Sequence, residues 1–156
     1  MAEDSPVLLR GPFLSSSLLF LVLFLVSSVD NNKASYRRFL RRHIDPRRVL
    51  INPSYYCQHI MRARGLTSPT CMGKNIFIHA RYRRIKIICG EGGRPFNNSA
   101  SSDSIYSYTI TTCHSTGGSP PNHCKYRGRS ERRRIRVACF KGVPVDLIRI
   151  LHSASP

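Results

Sequence analysis

Six cysteines constrain this 156-residue chain more than any other feature: Cys57, Cys71, Cys89, Cys113, Cys124 and Cys139. They contain no CxxC pair, and no Cys/His cluster has zinc spacing, so neither a metal nor a cofactor is expected. An even count on the secretory route reads as three disulfides. Six cysteines allow fifteen pairings, and the residues alone do not choose among them.

The N-terminus supplies the secretory route. Leu18 to Val26 (LLFLVLFLV) is an unbroken apolar run. It falls well short of the about 20 residues needed to span a bilayer. It fits the apolar core of a signal peptide, with Val26 and Ser28 giving the small-residue pattern for cleavage. Glu3 and Asp4 outnumber Arg10 ahead of it, which is atypical, and a short retained anchor is the alternative. No later stretch is apolar enough to span. The expected division is a signal peptide over residues 1–28 and one secreted, extracellular, monomeric domain over 29–156.

The charge selects the partners. The chain carries 25 Lys+Arg against 8 Asp+Glu, a net +17. Cleavage after Ser28 removes Arg10, Glu3 and Asp4, which leaves 24 against 6, a net +18. Such a charge favours RNA, heparin-like glycans and anionic bacterial surfaces. The cations are grouped: Arg37, Arg38, Arg41, Arg42, Arg47 and Arg48; Arg62 and Arg64; Arg81, Arg83, Arg84 and Lys86; and six arginines between Arg127 and Arg136. Arginine predominates, which suits forked contacts to phosphate or sulfate.

The pattern along the chain is α+β, helices early and antiparallel strands late. Phe39, Leu40, His43 and Ile44 recur at helical spacing, with Ser35 as N-cap and Asp45-Pro46 as the stop. A second helix is expected from Ser54 to Arg64, closed by Gly65. Asn75 to His79 (NIFIH) reads as a strand and the basic Ala80 to Cys89 as a third short helix. Gly90 to Asp103 reads as a loop, with a glycosylation sequon at Asn97-Asn98-Ser99. Strands are expected over Ser104 to Cys113, Cys124 to Arg127 and Arg134 to Cys139. Gly117 to Pro121 makes a turn, and the apolar Val143 to Leu151 closes the chain.

Five segments in order resemble the pancreatic ribonuclease family: Ser35 to Asp45 (SYRRFLRRHID), Ile60 to Pro69 (IMRARGLTSP), Cys71 to His79 (CMGKNIFIH), Tyr108 to Pro120 (YTITTCHSTGGSP) and Val143 to Val145 (VPV). The third resembles the family signature CKxxNTFxH. The second is very similar to the angiogenin-like branch, which also has three disulfides. The resemblance implies an RNase A-like fold, three short helices packed on a bent antiparallel sheet. It implies the pairs Cys57–Cys113, Cys71–Cys124 and Cys89–Cys139.

The family cleaves RNA with a base, an acid and a cation, and the resemblance places these at specific positions. His43 holds the base position, and histidine suits it because its pKa lies near neutrality. The signature lysine is replaced by Met72, which leaves Lys74 as the candidate substitute cation. The second histidine is replaced by Asp146, a carboxylate that repels a phosphate, and His152 is the remaining imidazole near the C-terminus. The threonine that reads the base is replaced by Ile76, beside a retained Asn75. Nucleic-acid contacts are expected from Arg42, Asn75, Ile76, Arg62, Arg64, Arg81, Arg83 and Arg84. Arg62-Ala63-Arg64-Gly65-Leu66 resembles a basic segment tied in the family to nuclear entry, with one arginine of its triplet changed to Ala63.

Whether the chain is an enzyme is therefore open. The expected function is a secreted cationic member that binds RNA and other polyanions, with catalysis lost or severely impaired, and serves host defence. The alternatives are a weak pyrimidine-preferring endoribonuclease and an angiogenin-like signalling ligand. The resemblance adds ribonuclease inhibitor as a protein partner.

Overall fold

The computed structural model describes residues 15–47 and 51–152. The elements in order are α1 (Ser16–His43), α2 (Pro53–Ala63), β1 (Lys74–Ile78), α3 (Tyr82–Lys86) with a 3-10 turn at Ile87–Cys89, β2 (Gly93–Pro95), β3 (Ser101–Ser104), β4 (Tyr108–Gly117), β5 (Lys125–Phe140) and β6 (Val143–Leu151). Two compact units are present, Met1–Asn31 and Asn32–Pro156, and α1 contributes to both.

The first helix is longer than expected. Ser35 lies inside α1 and is not its N-cap. The reason is local: no glycine or proline interrupts residues 16–44. The expected stop holds, because Pro46 disfavours helix at Asp45. Among the described residues, α1 is the one helix long and apolar enough to cross a membrane, with mean hydropathy 1.2 in its apolar window; an N-terminal signal sequence has the same character. In the first unit, the side chains of Leu18 to Val26 are exposed.

The second helix follows its local signals. The Asn52 side chain accepts from the Ser54 and Tyr55 amides, Pro53 stands in the first turn, and Gly65 leaves at φ +69°. Its partner α1 ends on an unexpected cap. The Arg64 guanidinium donates to the carbonyls of Arg41 (2.9 Å), Ile44 (3.0 Å) and Leu40 (3.5 Å). The Leu40 carbonyl also accepts from the Ile44 amide at 3.0 Å, whereas helix-end carbonyls beyond it run out of intrahelical donors, and a cation complements the negative end of the helix dipole.

All six strands join one antiparallel sheet in the order β1-β4-β5-β3-β2, with β6 also on β5. β5 changes partners along its length. Lys125 to Arg133 pair with β4, and Arg134 to Phe140 pair with β6, while β3 joins Arg136 to Ala138. The expected Cys124–Arg127 and Arg134–Cys139 strands are thus parts of one continuous strand, β5, over Lys125–Phe140. The arginine-rich stretch between them serves the ladder, since long basic side chains can lie along a sheet and keep their charge in water. The segment expected as a loop over 90–103 contains β2 and most of β3, joined by Asn97 and Asn98 at φ +44° and +49°. β2 reads Gly-Arg-Pro and β3 Ser-Ser-Asp-Ser, neither with apolar alternation. Ser101, Ser102 and Ser104 are buried by pairing with β5 and β2.

Two cores lie on opposite faces of β1, where Phe77 and Ile78 point in opposite directions. One gathers Phe39, Ile78, Ile85, Ile88, Ile110, Ile135 and Val137; the other gathers Tyr56, Cys57, Ile60, Met61, Phe77 and Cys113. Gly128 sets the approach of α2 to β5. A Cβ there would stand 2.2 Å from the Pro53 carbonyl oxygen and 2.8 Å from Cys57 Sγ. The disulfides are Cys57–Cys113, Cys71–Cys124 and Cys89–Cys139, enclosing separations of 56, 53 and 50 residues. Each bridge of that span stabilises by about 2–4 kcal/mol.

Candidate functional site

The end of α1 places His43 against β1. Its Nδ1 donates to the Ile76 carbonyl at 2.9 Å, which leaves Nε2 as the lone-pair nitrogen of the neutral ring. The ring also packs on Phe39, with centroids 5.5 Å apart. Burial pushes the His43 pKa down, against the opposing effects of the Ile76 carbonyl and Asp146, and Arg42 lowers it further. His43 is therefore held as a neutral base at physiological pH. The neighbouring turn is fixed as well, because Asn75 Nδ2 donates to the Arg42 carbonyl at 2.7 Å.

Across the cleft stands Asp146 on β6. Its Oδ1 is 4.0 Å from His43 Nε2, with side-chain exposures of 67% for Asp146 and 10% for His43. Ser35, Arg38, Phe39, Arg42, His43, Val145 and Asp146 line this cleft, about 230 Å³ in volume. A second cleft of about 520 Å³ shares Arg38 and Arg42 with it and includes Arg41, Cys71, Met72 and Gly73. Arg42 Nη2 reaches the Met72 sulfur at 3.7 Å.

The structure thus brings together four of the residues expected at the site: His43, Asp146, Arg42 and the Ile76 backbone. It leaves others apart. Lys74 is exposed on β1 and lines neither cleft. His152 follows the end of β6, and six extended residues from Asp146 correspond to roughly 20 Å. It reaches His43 only if β6 leaves the sheet. Arg64 is committed to capping α1, and Arg62 Nη2 donates to the Asn122 carbonyl at 2.9 Å. Arg81 and Arg83 are exposed around α3, and the Arg84 guanidinium lies 6.0 Å from the Tyr108 ring centroid. Asn97 is exposed in the turn after β2.

One buried assembly beside the cleft escaped the sequence reading. Asp45, 1% exposed, accepts from Tyr56 Oη at 2.7 Å and from Arg47 Nε at 2.8 Å. His79 Nδ1 donates to the Asp45 carbonyl at 3.1 Å and Nε2 accepts from Thr111 Oγ1 at 2.7 Å. Burial alone would raise the Asp45 pKa, but the Arg47 and Tyr56 hydrogen bonds outweigh it and hold the carboxyl below its ordinary range. Burial pushes His79 down and Tyr56 up. The only available sequence signal was an aspartate before a proline, which reads as a helix stop. Among the described residues no group of three His, Cys, Asp or Glu stands close enough to hold a metal ion.

A disulfide-sewn α+β domain with a neutral histidine in an arginine-walled cleft is the frame of a ribonuclease-like protein. The family model described as pancreatic ribonuclease matches residues 34–148, and the chain belongs to the pancreatic ribonuclease family. It is 42% identical to a ribonuclease of Chelonia mydas over 117 residues, covering 74% of this chain and 98% of that protein. It is 42% identical to angiogenin of Saguinus oedipus over 137 residues, 83% of this chain and 91% of the relative. The crystal structure of green turtle egg white ribonuclease superimposes with a TM-score of 0.69 at 42% identity, covering 75% of this chain and 98% of that one.

Proposed function

We propose that this chain is a secreted, strongly cationic family member that binds RNA and other polyanions while its RNA cleavage is lost or severely impaired. The observation that carries this reading is the Asp146 carboxylate 4.0 Å from His43 Nε2, where an acid and not an anion is needed. Met72 adds to it, as an uncharged side chain where the family signature has lysine. Loss of an acid–base group costs about 10²–10⁴ in rate and loss of a charge-stabilising donor about 10²–10³. The binding part rests on the net +17 and on arginines that have no carboxylate partner among the described residues, such as Arg38, Arg41, Arg81 and Arg83. Heparin-like glycans and anionic bacterial surfaces offer the same chemistry as RNA, and host defence is the role that fits a cationic binder. Secretion fits the apolar leader, proposed to be removed after Ser28, and fits three disulfides. The Asn97 sequon, exposed in its turn, is then open to glycosylation.

The test is cleavage of a short RNA by the wild type, Met72→Lys, Asp146→His, the double variant and a His43→Ala control. Wild-type cleavage is expected at least about four decades below an active relative. The double variant should gain far more than either single change, because acid, base and cation act as a unit. Robust wild-type cleavage that vanishes in His43→Ala would replace this reading with that of a true ribonuclease. Binding is expected to weaken with salt at a log–log slope of roughly −4 if about six phosphates are contacted.

A further inference from the structure

The back of α1 carries a cleft that the histidine site does not use. Arg37, Leu40, Arg41 and Ile44 recur at i, i+3, i+4 and i+7, so they share one face of the helix. That face is turned away from Arg38, Phe39 and Arg42, which line the His43 cleft. With Pro46 and, from the neighbouring elements, Arg64, Arg81 and Tyr82, it bounds an open cleft of about 600 Å³, against about 230 Å³ beside His43. All of these residues lie in the second compact unit.

Floor and rim differ in chemistry. The floor is apolar. Ile44 belongs to the core around Phe39 and Ile85, Leu40 packs against that core, and Pro46 and the Tyr82 ring complete the lining. The Tyr82 ring meets Tyr36 edge-on, with centroids 4.9 Å apart, which fixes its orientation. The rim is cationic. Arg37, Arg41 and Arg81 are exposed, and none has a carboxylate partner among the described residues. Arg64 is already committed to the α1 carbonyls.

The two chemistries together define the occupant. A hydrophilic polyanion satisfies the rim and leaves the apolar floor in water. A neutral apolar molecule covers the floor and leaves the guanidinium groups without an acceptor. A flat bilayer surface does not enter a concavity. One hydrocarbon chain with an anionic head satisfies floor and rim at once, and the volume lies within the roughly 300–1,000 Å³ of small-molecule sites. We propose that this cleft binds a single-chain anionic lipid, its chain laid along Leu40, Ile44 and Tyr82 and its head group held by Arg37 and Arg81. This goes beyond the polyanion reading and does not depend on it. No bond is made or broken.

The test titrates dodecyl phosphate, kept below its micelle concentration, into the secreted protein as the producing cell processes it. Calorimetry gives the affinity and the Tyr82 ring resonances give the place. Dodecyl phosphate should shift those resonances and bind at least about tenfold more tightly than inorganic phosphate or the uncharged dodecyl maltoside. Each covered methylene is worth about two- to fourfold, so octyl phosphate should bind at least about tenfold more weakly than dodecyl phosphate. Arg37→Gln/Arg81→Gln should weaken dodecyl phosphate by about tenfold or more. Arg94→Gln/Arg149→Gln removes two charges from exposed positions on β2 and β6 and should change it by less than about twofold. Equal affinities for dodecyl phosphate and dodecyl maltoside, equal losses in the two double variants, or binding that leaves Tyr82 unmoved each overturn the proposal. Phosphatidylglycerol vesicles that bind through Arg37 and Arg81 while monomeric dodecyl phosphate does not bind overturn it as well, in favour of a membrane surface. The ligand comparisons need no variant, so they decide the matter even if a substitution disturbs folding.

Discussion

The two walls of the cleft are built differently. The α1 wall is buried and cross-tied: His43 bonds the Ile76 carbonyl, Asn75 bonds the Arg42 carbonyl, and Asp45 gathers Tyr56, Arg47 and His79 behind them. The β6 wall presents Asp146, whose described hydrogen bond is accepted from its neighbour, the Leu147 amide, at 2.9 Å. The contrast teaches how a fold can outlast its chemistry. His43 is both reactive and structural, so losing it disturbs helix, strand and core. Position 146 touches the cleft alone, so a substitution there changes chemistry and leaves packing untouched.

Asp45 offers the most severe way to break the contrast. Asp45→Ala strands the buried Tyr56 hydroxyl and frees the Arg64 and Arg47 guanidinium groups, and should cost about 3 kcal/mol or more in denaturant unfolding. The same wall predicts acid sensitivity. Asp45 has a lowered folded pKa, so its contribution is present above the ordinary carboxylate range and is lost as pH falls through the folded value. His43 and His79 are also lowered, mainly by burial, so they favour the fold above about pH 6.5, the ordinary imidazole value, and oppose it as the pH drops below. Thermal melts should therefore decline in two stages from neutral pH to pH 3. A flat profile would show that this wall is not held by these groups.

His43→Ala comes next. It removes the Ile76 hydrogen bond and the Phe39 ring contact and leaves a gap, at about 2 kcal/mol. It should also weaken the first stage of the acid decline. A fully stable His43→Ala protein would mean that the histidine is not the structural tie inferred here.

The same contrast governs what the sequence could disclose. The secretory cysteines announced disulfides, and the segments around them carried the pairing that the structure contains. Gly65 made the end of α2 visible because a helix cap is local chemistry, whereas the Asn52 cap and Pro53 at its start went unread. β2 and β3 were hidden because a Gly-Arg-Pro strand paired with a strand of buried serines leaves no apolar alternation to read. The arginines of β5 read as a charge cluster, since nothing local distinguishes a solvated run from a basic strand. Arg64 read as a nucleic-acid ligand from its motif, yet its hydrogen bonds reach back 20 to 24 residues to α1. His43 and Asp146 were legible as types of residue. Their 4.0 Å confrontation, and the pairing of Arg42 with Met72, depend on where helix and strands meet.

The smallest expected effect sharpens the contrast most. Asp146→Asn keeps the shape of the side chain and removes one charge from an exposed strand position. Stability should stay within about 0.5 kcal/mol, because the core loses nothing. Two other readings should move. Asp146 raises the proton affinity of His43, so without it the imidazole should titrate at lower pH, as followed by its ring proton resonances. A unit charge at 4 Å in water is worth about 1 kcal/mol, so RNA affinity should rise by a few fold as one repulsion disappears. An unchanged His43 titration would separate the two walls electrostatically and show that the Asp146 carboxylate does not act on the base. A large loss of stability would give position 146 a structural task, and the division between a wall that holds the fold and a wall that only serves the cleft would fail.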